Sequence, residues 1–194
     1  MNPTLRHPIR EFIGHSLLKI LGWKALPMKE GIEKAVVIMA PHSSTWDICI
    51  GLCLHFATNL KLNWVGKKEL FRGPLGPTLK AWGGIPLDRE GTKNLVEATV
   101  NEFRRRDHFL YGLAPEGTRS YAPYWKSGFY HIAIAAKVPI VFYFVDFKTK
   151  ISGCGPVFHP TGDITEDMKV IRSFYEKVNP RNPKNCGAIA FKPK

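Results

Sequence analysis

Short runs of apolar residues alternate with helical stretches along most of this chain. Strands are predicted at 35–40, 62–66, 85–87, 109–113 and 140–147, and helices at 45–57, 74–82, 92–106, 128–137 and 166–177. This alternation is typical of an α/β fold with a mostly parallel central sheet flanked by helices. An antiparallel edge strand is predicted at 156–158, and the residues after Pro180 are predicted to be coil, in which 188–191 could add an edge strand.

The N-terminal segment has a different pattern, which predicts an amphipathic helix. Its apolar residues recur at three- and four-residue steps, and basic residues lie beside them. The apolar set is Ile9, Phe12, Ile13, Leu17, Ile20 and Leu21, with Arg6, Arg10 and Lys19 nearby and Trp23 at the end. Two interpretations stay open: the helix lies in the headgroup layer of an anionic membrane, or it packs on the protein's own core.

The length and composition fit one globular domain. Within its 194 residues we distinguish an amphipathic segment at 1–27, the blocks that carry chemistry at 35–147 and a C-terminal tail at 180–194. The net charge of +12 favours a polyanionic partner without choosing among nucleic acid, lipid headgroups and phosphorylated substrates. The four cysteines lack the paired short spacings of a zinc site, so we expect reduced structural thiols in a cytosolic setting and no metal.

The first candidate for chemistry is His42, which follows the predicted strand at 35–40. Asp47 comes five positions later in the first turns of a predicted helix, from where it could fold back onto one ring nitrogen. A carboxylate in that place fixes the tautomer of the imidazole and leaves the other nitrogen free to take a proton from a hydroxyl. The alternative is a loop histidine beside an aspartate that is favourable at a helix N-terminus, with Ser43 or Ser44 as the cap.

The second candidate is the block Glu116-Gly117-Thr118-Arg119, which also follows a predicted strand. Gly117 permits a tight turn, Thr118 offers a hydroxyl, and Arg119 offers a planar fork that suits a phosphate. The alternative is a surface turn in which Glu116 and Arg119 pair with each other. In open α/β sheets ligands gather at the carboxyl ends of strands, which is where both candidates are predicted to lie.

Two further blocks complete a pattern. Gly84 to Arg89 brings a second arginine after a strand, and Val138 to Val141 enters the longest strand. Together, and in this order, the four blocks resemble the glycerolipid acyltransferase family that includes 1-acylglycerol-3-phosphate acyltransferases. The resemblance covers roughly residues 35–145. A lone His-x4-Asp is weak evidence, whereas four blocks after successive strands are specific.

The resemblance implies transfer of an acyl group from acyl-CoA or acyl carrier protein to a lysophospholipid-like acceptor. In that family the histidine is the general base and the aspartate orients it, which assigns these roles to His42 and Asp47. The block from Glu116 through Gly117 and Thr118 to Arg119, together with Arg89, is associated with the acceptor phosphate, and Lys68 is a further candidate for phosphate contact. We expect no metal or organic cofactor, because the thioester is already activated. The expected location is the inner face of the cell membrane, bound peripherally from the cytoplasm.

Two departures from the family pattern concern the acceptor more than the reaction. Pro41 precedes the histidine where many members have asparagine, and Trp46 precedes the aspartate where a smaller or aliphatic residue is frequent. An ornithine- or sugar-based lipid therefore stays an alternative acceptor.

Two other functions compete with acyl transfer. A serine-type lipid hydrolase is suggested by Ser43 and Ser44 beside the histidine, although a Gly-x-Ser-x-Gly elbow is absent from the sequence. A nucleic-acid-binding module is suggested by the charge and by the aromatic residues Trp64, Trp82, Tyr121, Tyr124 and Trp125. We do not expect nucleic acid as a partner, because no recognised binding motif occurs and these aromatics fall among residues typical of a core.

Overall fold

A seven-stranded sheet forms the centre of the computed structural model, which describes residues 8–87 and 92–193. The strands are β1 (Lys24–Leu26), β2 (Lys34–Met39), β3 (Leu62–Lys67), β4 (Gly84–Leu87), β5 (Phe109–Leu113), β6 (Ala122–Trp125), β7 (Ile140–Asp146), β8 (Ile151–Phe158) and β9 (Cys186–Phe191). The helices are α1 (Pro8–Ile20), α2 (Thr45–Thr58), α3 (Gly76–Ala81), α4 (Thr92–Arg105), α5 (Gly128–Ala136) and α6 (Ile164–Tyr175), with short 3₁₀ helices at Lys68–Phe71 and Pro183–Asn185.

The order of the strands in the central sheet is β1-β8-β7-β2-β5-β3-β4. All neighbours are parallel except β7 and β8, which form an antiparallel pair. The predicted α/β fold with a mostly parallel sheet is therefore confirmed. β6 and β9 pair with each other in a separate two-stranded sheet, so the strand predicted near 188–191 exists but does not extend the central sheet.

The prediction of an antiparallel edge strand is wrong in its position. β8 is antiparallel to β7, but the edge is occupied by β1, which pairs with β8 in parallel from Lys24 opposite Ile151. β1 was not predicted because it is three residues long and largely exposed, so it shows no buried apolar run.

The alternation of side chains along β2 explains how both faces of the sheet are covered. Val36 and Ile38 point into a core that α4, α5 and α6 complete on one face, whereas Ala35 and Val37 point into a core that includes α1 and α2. All four are fully buried, as expected for a central parallel strand. The sheet is thus the middle layer of three.

α1 packs on α2 through a narrow stripe. A Cβ added at Gly14 would collide with the backbone of Ala57 and lie 2.8 Å from the carbonyl oxygen of Cys53, so the two helices approach at van der Waals distance there. Leu18 is buried beside this contact. The other apolar side chains of α1 are exposed, and Phe12 keeps 73% of its surface accessible. Among the described residues, no helix is long and apolar enough to cross a membrane.

Candidate active site

The two predicted candidates leave the same edge of the sheet on neighbouring strands. β2 and β5 are paired in parallel, with Ile38 opposite Leu113 at their carboxyl ends. The loop from Ala40 to Ser44 follows β2 and ends at the first turn of α2, and we call it the catalytic loop because it carries the candidate base His42. The loop that contains Glu116 and Arg119 follows β5. Parallel pairing therefore brings together two segments more than 70 positions apart, as expected at the carboxyl edge of such a sheet.

Asp47 organises the catalytic loop through one carboxylate oxygen. Oδ2 accepts hydrogen bonds from the backbone N–H of Ser43 at 2.7 Å and of Ser44 at 2.8 Å. Ser44 is the N-cap of α2, and its side chain together with that of Asp47 forms a capping box. The sequence folds this way because Asp47 occupies the third position of a helix whose first N–H groups need acceptors.

The imidazole of His42 faces the same carboxylate oxygen. Its Nδ1 atom lies 3.3 Å from Oδ2 of Asp47, and the side chains of His42 and Asp47 are 22% and 6% exposed. A carboxylate beside Nδ1 favours the tautomer with the proton on that nitrogen, which leaves Nε2 to act as the base. The arrangement can take a proton from a hydroxyl and hold the resulting imidazolium.

Glu116 lies beneath the catalytic loop and ties it to the loop after β5. Its Oε1 accepts the backbone N–H of His42 at 3.1 Å. Burial raises the pKa of Glu116, and hydrogen bonds from its own N–H and from the N–H of His42 offset part of that rise. Among the described residues its Oε2 is buried without a hydrogen-bond partner, and Glu116 lines a cavity of about 160 Å³. The structure thus places Glu116 behind the loop.

Arg119 reaches across to the start of α2. Its Nη1 donates to Oγ1 of Thr45 at 2.8 Å. The exposed guanidinium thus lies against a residue that follows His42 by three positions in the sequence. It does not pair with Glu116, so the alternative of a surface turn closed by those two residues is wrong. Gly117 has a positive φ of 70°, and Thr118 accepts the N–H of Ser120 at 3.1 Å, so both shape the turn that presents the arginine.

A comparison with known protein families identifies the family of this chain. The family model described as acyltransferase matches residues 19–143, which is more than half of the chain. The chain belongs to the acyltransferase family. The resemblance read from the four sequence blocks is confirmed at this level, and the catalytic loop and the loop after β5 both lie within the matched region.

A solved structure has the same fold as this acyltransferase. The crystal structure of the 1-acyl-sn-glycerophosphate acyltransferase PlsC from Thermotoga maritima matches with a TM-score of 0.55 and 16% sequence identity, over 90% of this chain and 80% of the PlsC chain. That likeness supports a shared fold. No curated protein sequence matches this one significantly.

Of the two remaining predicted phosphate contacts in this acyltransferase, the structure describes Lys68. Lys68 is exposed and opens the 3₁₀ helix directly after β3, whose carboxyl end is at the same edge as that of β5. Arg89 lies outside the described residues. β4, which precedes it in sequence, is parallel to β3.

The two serines beside His42 have structural roles. Ser43 is 1% exposed, and its Oγ accepts the backbone N–H of Asn182 at 3.2 Å. Ser44 accepts the N–H of Trp46 as the helix cap. Both hydroxyls contact backbone groups, and in the part of the chain that the structure describes neither forms a hydrogen bond with the ring of His42, so neither is placed as the activated nucleophile that a serine hydrolase needs.

The prediction that the aromatic residues belong to the core is wrong for three of them. Trp125 is buried, but Trp82, Tyr121 and Tyr124 are exposed and do not belong to the core. These rings stand outside the sheet's tightly packed central strands, and no local sequence pattern separates them from core aromatics.

Sequence reasoning also missed residues that contact the catalytic loop. Asn182 and Asn185, in the predicted coil, both donate to the carbonyl oxygen of Ser43 at 3.1 Å. The guanidinium of Arg181 lies over the ring of Trp46, 5.1 Å from its centroid. Asparagines after a helix carry no local signal for a partner 139 positions away, so only the fold could reveal these contacts.

Proposed function

We propose that this acyltransferase moves a fatty acyl group from acyl-CoA or acyl carrier protein to the hydroxyl of a lysophospholipid such as 1-acylglycerol-3-phosphate. The observation that carries the proposal is the contact between the two loops. It puts an imidazole steadied by a carboxylate and an exposed guanidinium on one edge of the sheet. The first suits the deprotonation of a hydroxyl, and the second suits an anionic headgroup.

The proposed reaction needs one base and no cofactor. Nε2 of His42 takes the proton of the acceptor hydroxyl as its oxygen attacks the thioester carbonyl. The carbon–sulfur bond then breaks, and the thiolate leaves with the proton that the imidazolium returns. Asp47 holds the ring and stabilises its positive charge during the attack.

Arg119 is the proposed contact for the acceptor phosphate. Its hydrogen bond goes to the neutral hydroxyl of Thr45, which fixes the side chain without neutralising its charge. The other N–H groups of the planar guanidinium can then grip two oxygens of one phosphate. Lys68 and Arg89 follow β3 and β4, and we propose that they add positive charge around the same headgroup. Glu116 supports the loop from behind, and Gly117 and Thr118 shape the turn.

We also propose that the protein docks on the anionic inner surface of the cell membrane from the cytoplasm. Both helices on the α1–α2 side leave large apolar side chains exposed, and Arg10, Lys19 and Lys24 are exposed near them. Apolar residues flanked by cations are typical of a surface that lies in a headgroup layer. The exposed apolar set is Ile9, Phe12, Ile13, Leu17, Ile20 and Leu21 together with Trp46, Ile48 and Leu52 of α2.

The test is acyl transfer by the purified protein in lipid vesicles. Two donors, acyl-CoA and acyl carrier protein loaded with an acyl group, carry the label in that acyl group. Each is offered with 1-acylglycerol-3-phosphate, with 1-acylglycerol and without acceptor. We expect diacyl product from the phosphorylated acceptor and a loss of at least roughly 10²-fold in kcat for His42→Gln. His131→Gln, at an exposed position of α5, is the matched control.

Arg119→Ala separates the two substrates. We expect a higher KM for 1-acylglycerol-3-phosphate, an unchanged KM for the acyl donor and an unchanged KM for the unphosphorylated acceptor. Free fatty acid released at the same rate with or without acceptor would instead indicate a hydrolase. Full activity of His42→Gln would eliminate the proposed base.

A further inference from the structure

The segment that follows α6 returns to the catalytic loop. It is fixed first at Asn179, whose backbone N–H and side-chain Nδ2 donate to Oδ2 of Asp146 at 3.3 and 3.0 Å. It is fixed last by β9, which pairs with β6. Between these two anchors residues 180–185 pass the catalytic loop, and we call them the strap. The strap lies beyond the region matched by the family model, which ends at residue 143.

Three hydrogen bonds join the strap to Ser43. The backbone N–H of Asn182 donates to the Ser43 hydroxyl at 3.2 Å, and the side-chain amides of Asn182 and Asn185 both donate to the Ser43 carbonyl oxygen at 3.1 Å. That carbonyl therefore receives two donors on its two lone pairs. Ser43 is 1% exposed, so water does not readily replace either donor.

The peptide group between Ser43 and Ser44 also contacts Asp47. The carbonyl of Ser43 and the N–H of Ser44 belong to one planar peptide group, and they point in opposite directions. The N–H of Ser44 donates to Oδ2 of Asp47 at 2.8 Å, which is the oxygen that faces Nδ1 of His42. Fixing the oxygen of this plane consequently fixes the donor that orients the carboxylate.

We infer that Asn182 and Asn185 are positioning residues for the catalytic pair, acting on His42 and Asp47 through the Ser43–Ser44 peptide plane. Either amide alone can still hold the carbonyl, so their effects should be coupled. Arg181 adds a further contact, because its guanidinium lies over the ring of Trp46 in the first turn of α2. The inference rests on the proposed function for its kinetic effect but not for its structural one.

The kinetic test uses Asn182→Ala, Asn185→Ala and the double variant. We expect each single variant to lower kcat roughly fivefold, as for loss of one hydrogen bond. The double variant should lose more than the product of the two, because both donors serve one acceptor. KM for both substrates should stay unchanged, since neither residue is proposed to touch them. Asn101→Ala, at an exposed position of α4, is the control.

Isosteric replacement separates positioning from packing. Asn182→Asp keeps the volume of the side chain but replaces the donor with an oxygen that faces the Ser43 carbonyl, so kcat should fall at least as far as in Asn182→Ala. Asn182→Gln keeps a donor and should recover part of the activity. Wild-type kcat in Asn182→Asp would overturn the inference.

A spectroscopic arm is independent of turnover. Long-range ¹H–¹⁵N spectra of the histidine-labelled protein report which ring nitrogen carries the proton, and the His42 signal is assigned by its absence in His42→Gln. We expect one Nδ1–H tautomer in the wild type and a tautomer mixture in the double variant. An unchanged His42 signal in a folded double variant would overturn the inference, even if the wild type proved inactive in transfer and the proposed function failed.

Discussion

Replacing Asp47 with asparagine removes one charge from the catalytic loop while keeping the size of the side chain. In the wild type Oδ2 receives three groups, which are the N–H of Ser43, the N–H of Ser44 and Nδ1 of His42. An amide oxygen can still accept from both backbone groups, so α2 keeps its capping interactions. The imidazolium that forms during proton transfer then faces a neutral dipole in place of an anion.

The distance between the two groups sets the size of the effect. At 3.3 Å and an effective dielectric constant of about 20, the attraction between unit charges is roughly 5 kcal/mol. His42 is 22% exposed, so solvent screens part of this attraction. We expect Asp47→Asn to lose about 3 to 5 kcal/mol of transition-state stabilisation. Asp47→Asn should therefore lower kcat roughly 10²- to 10⁴-fold.

Steady-state kinetics with acyl-CoA and 1-acylglycerol-3-phosphate measure this loss, and thermal unfolding shows whether the variant folds. The matched control is Asp163→Asn at the N-cap of α6, where the carboxylate likewise accepts two backbone N–H groups, from Thr165 and Glu166. Both variants should lose about 1 kcal/mol of stability or less, but only Asp47→Asn should lose activity. A kcat within threefold of wild type would refute the role given to the carboxylate.

Two further changes test the surroundings of the site. Burial raises the pKa of Glu116, so the protonated group favours the folded state below its unfolded pKa, and this contribution is lost as pH rises through the folded pKa. The Tm of Glu116→Gln should therefore rise relative to that of the wild type between pH 4 and pH 7. A difference in Tm that does not depend on pH would contradict this. Phe12→Ser on α1 should weaken binding to anionic vesicles about tenfold, measured by sedimentation, because roughly 1.5 kcal/mol of apolar transfer is lost. Val170→Ser, an exposed position on α6, should bind as the wild type does, and equal loss in both variants would argue against α1 as the membrane contact.

Sequence patterns predicted the fold well where an element contains a long run of apolar residues. β2, β7 and α2 are such elements, and each was predicted to within one residue of its observed bounds. β1 and β6 were missed because they are short and largely exposed, so neither shows a buried apolar run. The position of β8 inside the sheet depends on β1, so that error followed from the first one.

In the candidate site, only the contacts between residues close in sequence could be predicted. The approach of Asp47 to His42 follows from helix geometry and capping, which are encoded within six residues. The burial of Glu116 and the hydrogen bond between Arg119 and Thr45 depend on the pairing of β2 with β5. The strap contacts depend on the path of the chain after α6, and no sequence pattern near Ser43 indicates them.

The two carboxylates near His42 lie in different environments. One oxygen of Asp47, at the start of a helix, contacts two backbone N–H groups and the imidazole. Glu116 accepts the N–H of His42 at one oxygen, and burial raises its pKa. Among the described residues, the second oxygen of each carboxylate is buried without a hydrogen-bond partner. Asp47 faces Nδ1 of His42, whereas Glu116 contacts the backbone N–H of that residue, so the proposed stabilisation of the imidazolium falls to Asp47. Asn182 and Asn185 act on this same carboxylate, because they fix the peptide group that supplies Asp47 with one of its donors.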